Sequence, residues 1–284
     1  MAPESSSTPA WTASDLAGNP HASQDKPERV KRMFAAIAPA YDLNNRLHSF
    51  GRDQAWRRRA VAMAEVRPGD AVLDVACGTG DLSELFADAM AAVEAQAGAQ
   101  AGVPAAGPRP CPVTGVDFTP AMLDVAREKS ARRPPDRRPT YRVGDAMDLA
   151  IPDASVDVLS IAFGIRNVAD PARAFSEFHR VLKPGGRLVV LEFTQPPVGL
   201  VRFLNGLYCR HLMPWTAALI ARDRGGAYRY LPRSVDTFLD HHGLADALRR
   251  AGFTVVRQQL MTLGVVAVTL ATRPGTPSQS PPPA

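Results

Sequence analysis

Residues 71–81 read AVLDVACGTGD, a short Val/Leu run that opens into two glycines and an aspartate. The run predicts a buried strand, and the glycines predict a tight turn. DLSELFADAM (81–90) follows as a helix with Leu82, Leu85, Phe86 and Ala89 facing inward. Strand, glycine turn and helix in that order open a doubly wound α/β sheet. The alternation continues downstream: strand 112–117, helix 120–130, strands 140–145 and 156–163, helix 171–182 and the turn KPGG (183–186). RLVVLEF (187–193) is wholly apolar but for its ends, as in a strand buried on both faces. A helix near 234–250 precedes strands FTVVRQQL and GVVAVTLAT, close enough to form an antiparallel hairpin. The predicted fold is α/β and Rossmann-like, with a mostly parallel sheet and a C-terminal antiparallel hairpin.

Upstream of the glycine turn, Val30, Met33, Phe34 and Ile37 repeat at helical spacing, and a second helix is predicted from about Asp53 to Met63. Residues 1–25 are rich in Ser, Pro and Ala and carry no Lys or Arg, and residues 274–284 form a Pro/Ser tail; both are expected to be disordered. Residues 91–111, rich in Ala, Gly and Pro, read as a flexible insertion. The domain is therefore expected over 26–273, with a helical lid at 26–66 and an aromatic, basic substrate cover at 196–230.

The 284 residues are 45% hydrophobic and 21% charged, as in a globular protein. No apolar run approaches the length of a membrane span, and the N-terminus lacks a secretion signal. Three cysteines stand far apart without a CxxC pair, which fits a reducing cytoplasm and argues against a disulfide framework or zinc knuckle. No metal site is expected. The formal charge is +5, and three acids in the first 25 residues leave about +8 on the rest. That balance suits an anionic surface or plain solubility, and plain solubility is the simpler reading.

Gly78 and Gly80 let a ligand approach the backbone at a helix N-terminus. A GxG turn alone is weak evidence, and Ser83 stands where a dinucleotide fingerprint has its third glycine. Asp117 ends the second strand, where a carboxylate can accept from both ribose hydroxyls. Asp145-Ala146 ends the third strand, where a side-chain acceptor beside a backbone N–H matches the edge of adenine. Each Asp alone could cap a turn. Together with the glycine turn they describe a nucleoside site carrying an amino-acid tail.

VLDVACGTGD, GVDFTPAML, GDAMDLAIPDASVDVLSIAFGIRNVAD and RVLKPGGRLVVLEF resemble the successive motifs of class I S-adenosylmethionine-dependent methyltransferases. YDLNNRLHSFGRDQAWRR (41–58), FGIRNVAD (163–170), LEFTQP (191–196) and YRYLPRSV (228–235) narrow the resemblance to the quinone-biosynthesis C-methyltransferases. These act on demethylmenaquinol or the matching benzoquinol precursor of ubiquinone. The resemblance implies a class I methyltransferase fold and S-adenosylmethionine as cofactor, held by Thr79, Asp117, Asp145 and Ala146 with the Gly78/Gly80 turn. It departs at Ala162, where the family carries a cofactor-touching serine. Ser160 lies on the same strand face but ~6.6 Å away and does not replace it.

The resemblance further implies a polyprenyl quinol substrate and a cytoplasmic enzyme that can rest on the inner face of the membrane, with no nucleic-acid partner. Oligomeric state is not legible. Ring methylation needs a phenolate. Arg166 is the candidate to stabilise it and Asn167 to orient the second oxygen, while Tyr41 and Asp42 open the N-terminal block whose helix pair could cover the cofactor as a lid. The bland alternatives are that Arg166 pairs with Asp170, Asn167 caps the helix at Pro171, and Tyr41 is a packing anchor. Asp42 and His48 are the nearest candidate bases, and neither is assigned. Arg57, Arg58 and Arg59 read as a solvated face or one resting on headgroups. Phe203, Leu204, Tyr208, Leu212, Met213, Pro214 and Trp215 could wall the isoprenoid tail. A nicotinamide oxidoreductase is disfavoured by Ser83 and the Asp145-Ala146 pair. A silent methyltransferase-like binding module is disfavoured by the intact Thr79/Asp117/Asp145 set.

Overall fold

The computed structural model describes residues 10–12, 14–101, 111–208 and 227–275. Seven strands form one sheet: β1 (Val72–Val75), β2 (Val113–Asp117), β3 (Thr140–Val143), β4 (Val156–Ala162), β5 (Leu182–Phe193), β6 (Thr254–Met261) and β7 (Val266–Thr272), in the order β3-β2-β1-β4-β5-β7-β6. The first five are parallel, and β7 runs antiparallel to both β5 and β6. The order reverses between β1 and β4, and a ligand crevice is expected outside the carboxyl ends of those strands.

Both faces of the sheet are covered, which explains its apolar strands. One face packs under α6 (Pro171–Val181) and the helix His241–Arg250, through Phe175, Phe178, Leu244 and Leu248. The other packs under α3 (Arg52–Ala64) and α4 (Asp81–Gln100), through Trp56, Ala60, Phe86 and Met90. Asp170 starts α6 by accepting from the backbone N–H groups of Ala172 and Arg173. α1 (Lys26–Ile37) and α2 (Tyr41–His48) close over the carboxyl edge, and α5 (Pro120–Ala131) follows β2.

Four expectations need correction. First, α4 continues to Gln100, so half of the supposed insertion is helix. Its Ala-rich composition, read as low complexity, is also the composition of highest helix propensity. Second, the N-terminal segment is not a loose tail from residue 10 onward. Trp11 is fully buried and stacks on Tyr230 with ring centroids 4.7 Å apart, and Arg29 bonds Asp15 at 2.7 Å. One Trp supplies enough apolar area to dock a segment that otherwise lacks it. Third, KPGG is an outward bulge inside β5, with Gly185 at φ +78° and its N–H bonded to the Arg273 carbonyl. Fourth, the predicted 234–250 helix is two helices, Ala227–Asp236 and His241–Arg250, the second capped by Asp240. Residues 1–9 and 276–284 of the expected tails lie outside the described residues.

Candidate active site

β1 ends at Val75, and the chain then turns through Ala76, Gly78 and Gly80, all at positive φ. Gly80 must be glycine: it sits at φ +86°, and a Cβ there would strike the Tyr141 hydroxyl. Beneath the turn, Asp74 is buried and accepts from Ser83 Oγ at 2.6 Å and Ser160 Oγ at 2.8 Å. Burial pushes its carboxyl up to about 6, against the pull of those two hydroxyls. Ser83 therefore has a task that the missing third glycine could not perform. Ser160, spent on Asp74, does not stand in for the family's serine at Ala162.

Asp117 accepts from Gly78 N–H at 2.9 Å and Thr119 N–H at 2.8 Å, one on each carboxylate oxygen. Burial raises its pKa and the two N–H bonds oppose the rise. The bonds fix the carboxylate at the end of β2 while leaving each oxygen further lone pairs. A cavity at this edge is lined by Gly78, Asp117, Asp145, Ala146 and Ala162, with Phe118 and Met122 as apolar wall. Asp145 is exposed and accepts from Met147 N–H at 2.8 Å. Thr79, by contrast, is buried and gives its hydroxyl to Asp42 at 2.5 Å. Asp42 also accepts from Lys129 at 2.8 Å, and Lys129 bridges on to Asp81. These bonds pin α2 over the glycine turn, and Asp42 lines neither cavity described here. The acceptors on β2 and β3, the apolar wall and the glycine turn fit a nucleoside with an amino-acid tail, so the residues present suit S-adenosylmethionine.

A second cavity, of about 600 Å³, opens beside the first, and Phe34, Tyr41 and Phe163 line both. Trp56, Phe193 and Tyr230 add to its aromatic wall, and His48 is also on its lining. Burial raises the Tyr41 phenol, and the Arg57 charge opposes that first among several partners. Phe163 has φ +55°, which turns the chain sharply at the end of β4 and delivers Arg166 into the second cavity.

Arg166 is 5% exposed. Its Nη1 donates to Glu192 Oε1 at 2.6 Å and to the Phe163 carbonyl at 2.7 Å, while its Nε, also buried, has no partner among the described residues. Its guanidinium lies 5.3 Å from the Phe193 ring centroid. Its acid is thus Glu192 on β5, not Asp170, which is occupied capping α6. Asn167 lines the cofactor-side cavity and does not cap that helix: its Nδ2 donates to the Phe163 carbonyl at 3.1 Å and its Oδ1 accepts from Tyr230 at 3.0 Å. Lys26, 2% exposed, donates to the carbonyls of Arg166 at 2.9 Å and Val168 at 2.6 Å. Burial, with the Arg166 charge, holds its pKa down at about 8.

The Arg57–Arg59 run is not one solvated face. Arg58 is exposed and Arg59 bonds Gln259, but Arg57 is buried against Phe163. α7 (Gly199–Leu207) exposes Phe203 and Leu204, and Tyr208 donates to the His48 carbonyl. Leu212, Met213, Pro214 and Trp215 lie outside the described residues. Glu192, Lys26 and Tyr230 carry the loop at Arg166–Asn167 and have no role in the sequence reading. LEFTQP and YRYLPRSV, two of the motifs that carry the resemblance, contain Glu192 and Tyr230, and their place in those motifs is the signal that could have found them.

Solved structures share the fold: the [4+2]-cyclase SpnF (TM-score 0.59, 17% identity, covering 88% of this chain and 96% of that one) and a SAM dependent methyltransferase from Aquifex aeolicus (TM-score 0.55, 15% identity, 82% and 97%). One relative, "Demethylmenaquinone methyltransferase" of Thermus thermophilus, is 43% identical over 85% of this chain and all of its own length. Another, the protein of the same name in Deinococcus radiodurans, is 41% identical over 86% of this chain and 92% of its own. A third, "Ubiquinone/menaquinone biosynthesis C-methyltransferase UbiE" of Geotalea daltonii, is 36% identical over 86% and 96%. The model of the ubiE/COQ5 methyltransferase family matches residues 22–273, and the chain belongs to that family.

Proposed function

We propose that this chain transfers the methyl group of S-adenosylmethionine to a ring carbon of demethylmenaquinol, giving menaquinol. The observation that carries the reading is the meeting of the two cavities at Phe34, Tyr41 and Phe163, beside the buried guanidinium of Arg166. When bound, S-adenosylmethionine would supply an electrophilic methyl and leave as the neutral thioether; the phenol gives up its proton to water, and the proton lost from the methylated ring carbon restores the phenol. The Arg166 guanidinium is the donor for the phenolate oxygen beside that carbon, which lowers the phenol pKa and loads electron density onto the ring. Arg166 stays charged throughout and takes no proton. Tyr41, at the junction, closes α2 over the transfer path, and the aromatic wall excludes water. Asn167 orders the loop that carries Arg166.

The names of the Thermus and Deinococcus relatives support the naphthoquinol as substrate. The name of the Geotalea relative supports a second reading, C-methylation of the benzoquinol precursor of ubiquinone as well. A polyprenyl substrate also favours contact with a lipid surface. No described helix is long and apolar enough to cross a membrane. Exposed Phe50, Phe203 and Leu263 flank residues that line the second cavity, with exposed Arg46 and Arg52 nearby in sequence. This rim is the part of the chain we assign to an anionic bilayer surface.

The test is transfer of label from S-adenosylmethionine to reduced short-tail demethylmenaquinol, run beside the benzoquinol precursor. Label on the naphthoquinol is expected, label on both supports dual use, and label on neither sinks the reading. Flotation with anionic vesicles, lost in Phe50→Ser/Phe203→Ser, tests the rim.

A further inference from the structure

We infer that Arg57 holds the second oxygen of the substrate, making this a site for a para-dihydroxy arene with one guanidinium at each oxygen. The inference rests on the quinol reading above and adds a residue that the reading does not use.

The position comes from the wall of the second cavity. Arg57 on α3 is 6% exposed and lines that cavity, as Arg166 does. Its guanidinium lies 5.4 Å from the centroid of Phe163, and that of Arg166 lies 5.3 Å from Phe193. The two rings are packed with centroids 4.6 Å apart. Each cation therefore stands against one ring of an adjacent pair on the wall of the same cavity. Both charges also reach Tyr41, where each opposes the effect of burial on the phenol.

Chemistry explains why Arg57 needs a further partner. A guanidinium keeps its charge and carries five N–H donors. Among the described residues, Arg57 bonds only Asp53, through Nη1 to Oδ2 at 3.2 Å and to the carbonyl at 3.5 Å. Asp53 is itself shared, accepting from Ser49 at 3.0 Å and Gln54 at 3.1 Å. A buried cation with one long ion pair is poorly compensated, and an oxygen anion or phenol entering the cavity would complete it. Asn167, the sequence candidate for the second oxygen, has its amide engaged by Tyr230 and Phe163 and lines the other cavity. Of the arginines that line the second cavity besides Arg166, Arg52 and Arg202 are exposed and Arg57 is buried. The rival occupant is the carboxylate of the cofactor, since the Arg57 charge also acts on Asp74 under the glycine turn.

Binding and turnover are measured for Arg57→Met with two arenes: short-tail demethylmenaquinol and the prenyl-naphthol that keeps only the hydroxyl beside the methylated carbon. Titration calorimetry gives arene and S-adenosylmethionine affinities, and label transfer gives KM and kcat. Asp53→Asn/Arg57→Met is measured in parallel, because it removes the carboxylate that the single variant orphans. The expected result is a ~10–100-fold loss of quinol affinity with a matching rise in KM, a change under ~3-fold for the one-oxygen arene, and unchanged cofactor affinity. Equal loss for both arenes makes Arg57 structural, weakened cofactor binding gives it to the carboxylate, and no loss removes it from the site; each overturns the inference. Selective quinol binding without label transfer would keep the inference and sink the methylation reading. Failure of the wild type to bind either arene would sink both.

Discussion

The two cavities are built in different ways. The cofactor side is made where strands end, and its acids are held by backbone N–H groups: Asp117 by its neighbour Thr119 and by Gly78 on the adjoining turn, and Asp145 by Met147. The substrate side is made from separate segments that meet only in the fold. Arg166 is held by Glu192, Asn167 by Tyr230, and their loop by Lys26, which is 140 residues before Arg166. On our reading, backbone N–H groups at strand ends set the cofactor side, while buried side-chain pairs set the reacting end. Damage to the first should cost binding; damage to the second should cost stability and turnover together.

The largest effect is expected from Glu192→Ala, which leaves the Arg166 charge buried and uncompensated. It should cost about 3–5 kcal/mol in chemical denaturation. Asp145→Ala, on the exposed rim of the cofactor side, should cost under ~1 kcal/mol of stability while weakening S-adenosylmethionine. Equal destabilisation would erase the distinction. Asp117→Ala, also on the cofactor side but buried, should lower cofactor affinity by about 1.5–3 kcal/mol, read by calorimetry. Unchanged affinity there would break the assignment of that cavity.

Lys26 supplies a pH test of the substrate side. Its pKa is about 8 in the fold against 10.5 for the ordinary ammonium. Below pH 8 both folded and unfolded chains are protonated, and the burial penalty is felt in full. Between 8 and 10.5 the unfolded chain binds the extra proton, so stability rises with pH, by up to about 1.4 kcal/mol per unit. Wild type should therefore gain on Lys26→Met across that window; parallel stability curves would deny Lys26 its buried place. The smallest effect is Ala162→Ser, which restores a hydroxyl to the cofactor cavity and should tighten S-adenosylmethionine by about 0.5–1.5 kcal/mol. Weaker binding would mean that the added oxygen finds no partner there.

The same contrast governs what the sequence made legible. Apolar runs such as LVVL (188–191) and the turn at Gly78–Gly80 encode their structure within a few residues, so the sheet, the C-terminal hairpin and the acids at the strand ends could be read directly. Arg166 could be singled out, yet its partner could not, because local spacing offers Asp170 and the fold supplies Glu192 across β4 and β5. Trp11 sits in a segment whose composition argues for disorder, and one stacking partner, Tyr230, outweighs it. Arg57 carries the same letter as its exposed neighbour Arg58, and only helix phase against Phe163 separates them. The Ala-rich stretch after Met90 has two compositional readings, and helix propensity settled it in favour of α4.

The central claim is that the Arg166 guanidinium drives ring methylation without holding the cofactor. Arg166→Met, assayed for label transfer to demethylmenaquinol with S-adenosylmethionine affinity measured on the same preparation, tests it most directly. The account predicts a fall in kcat of ~10²–10³ with cofactor affinity unchanged. Undiminished turnover, or a loss explained by cofactor binding alone, would contradict it.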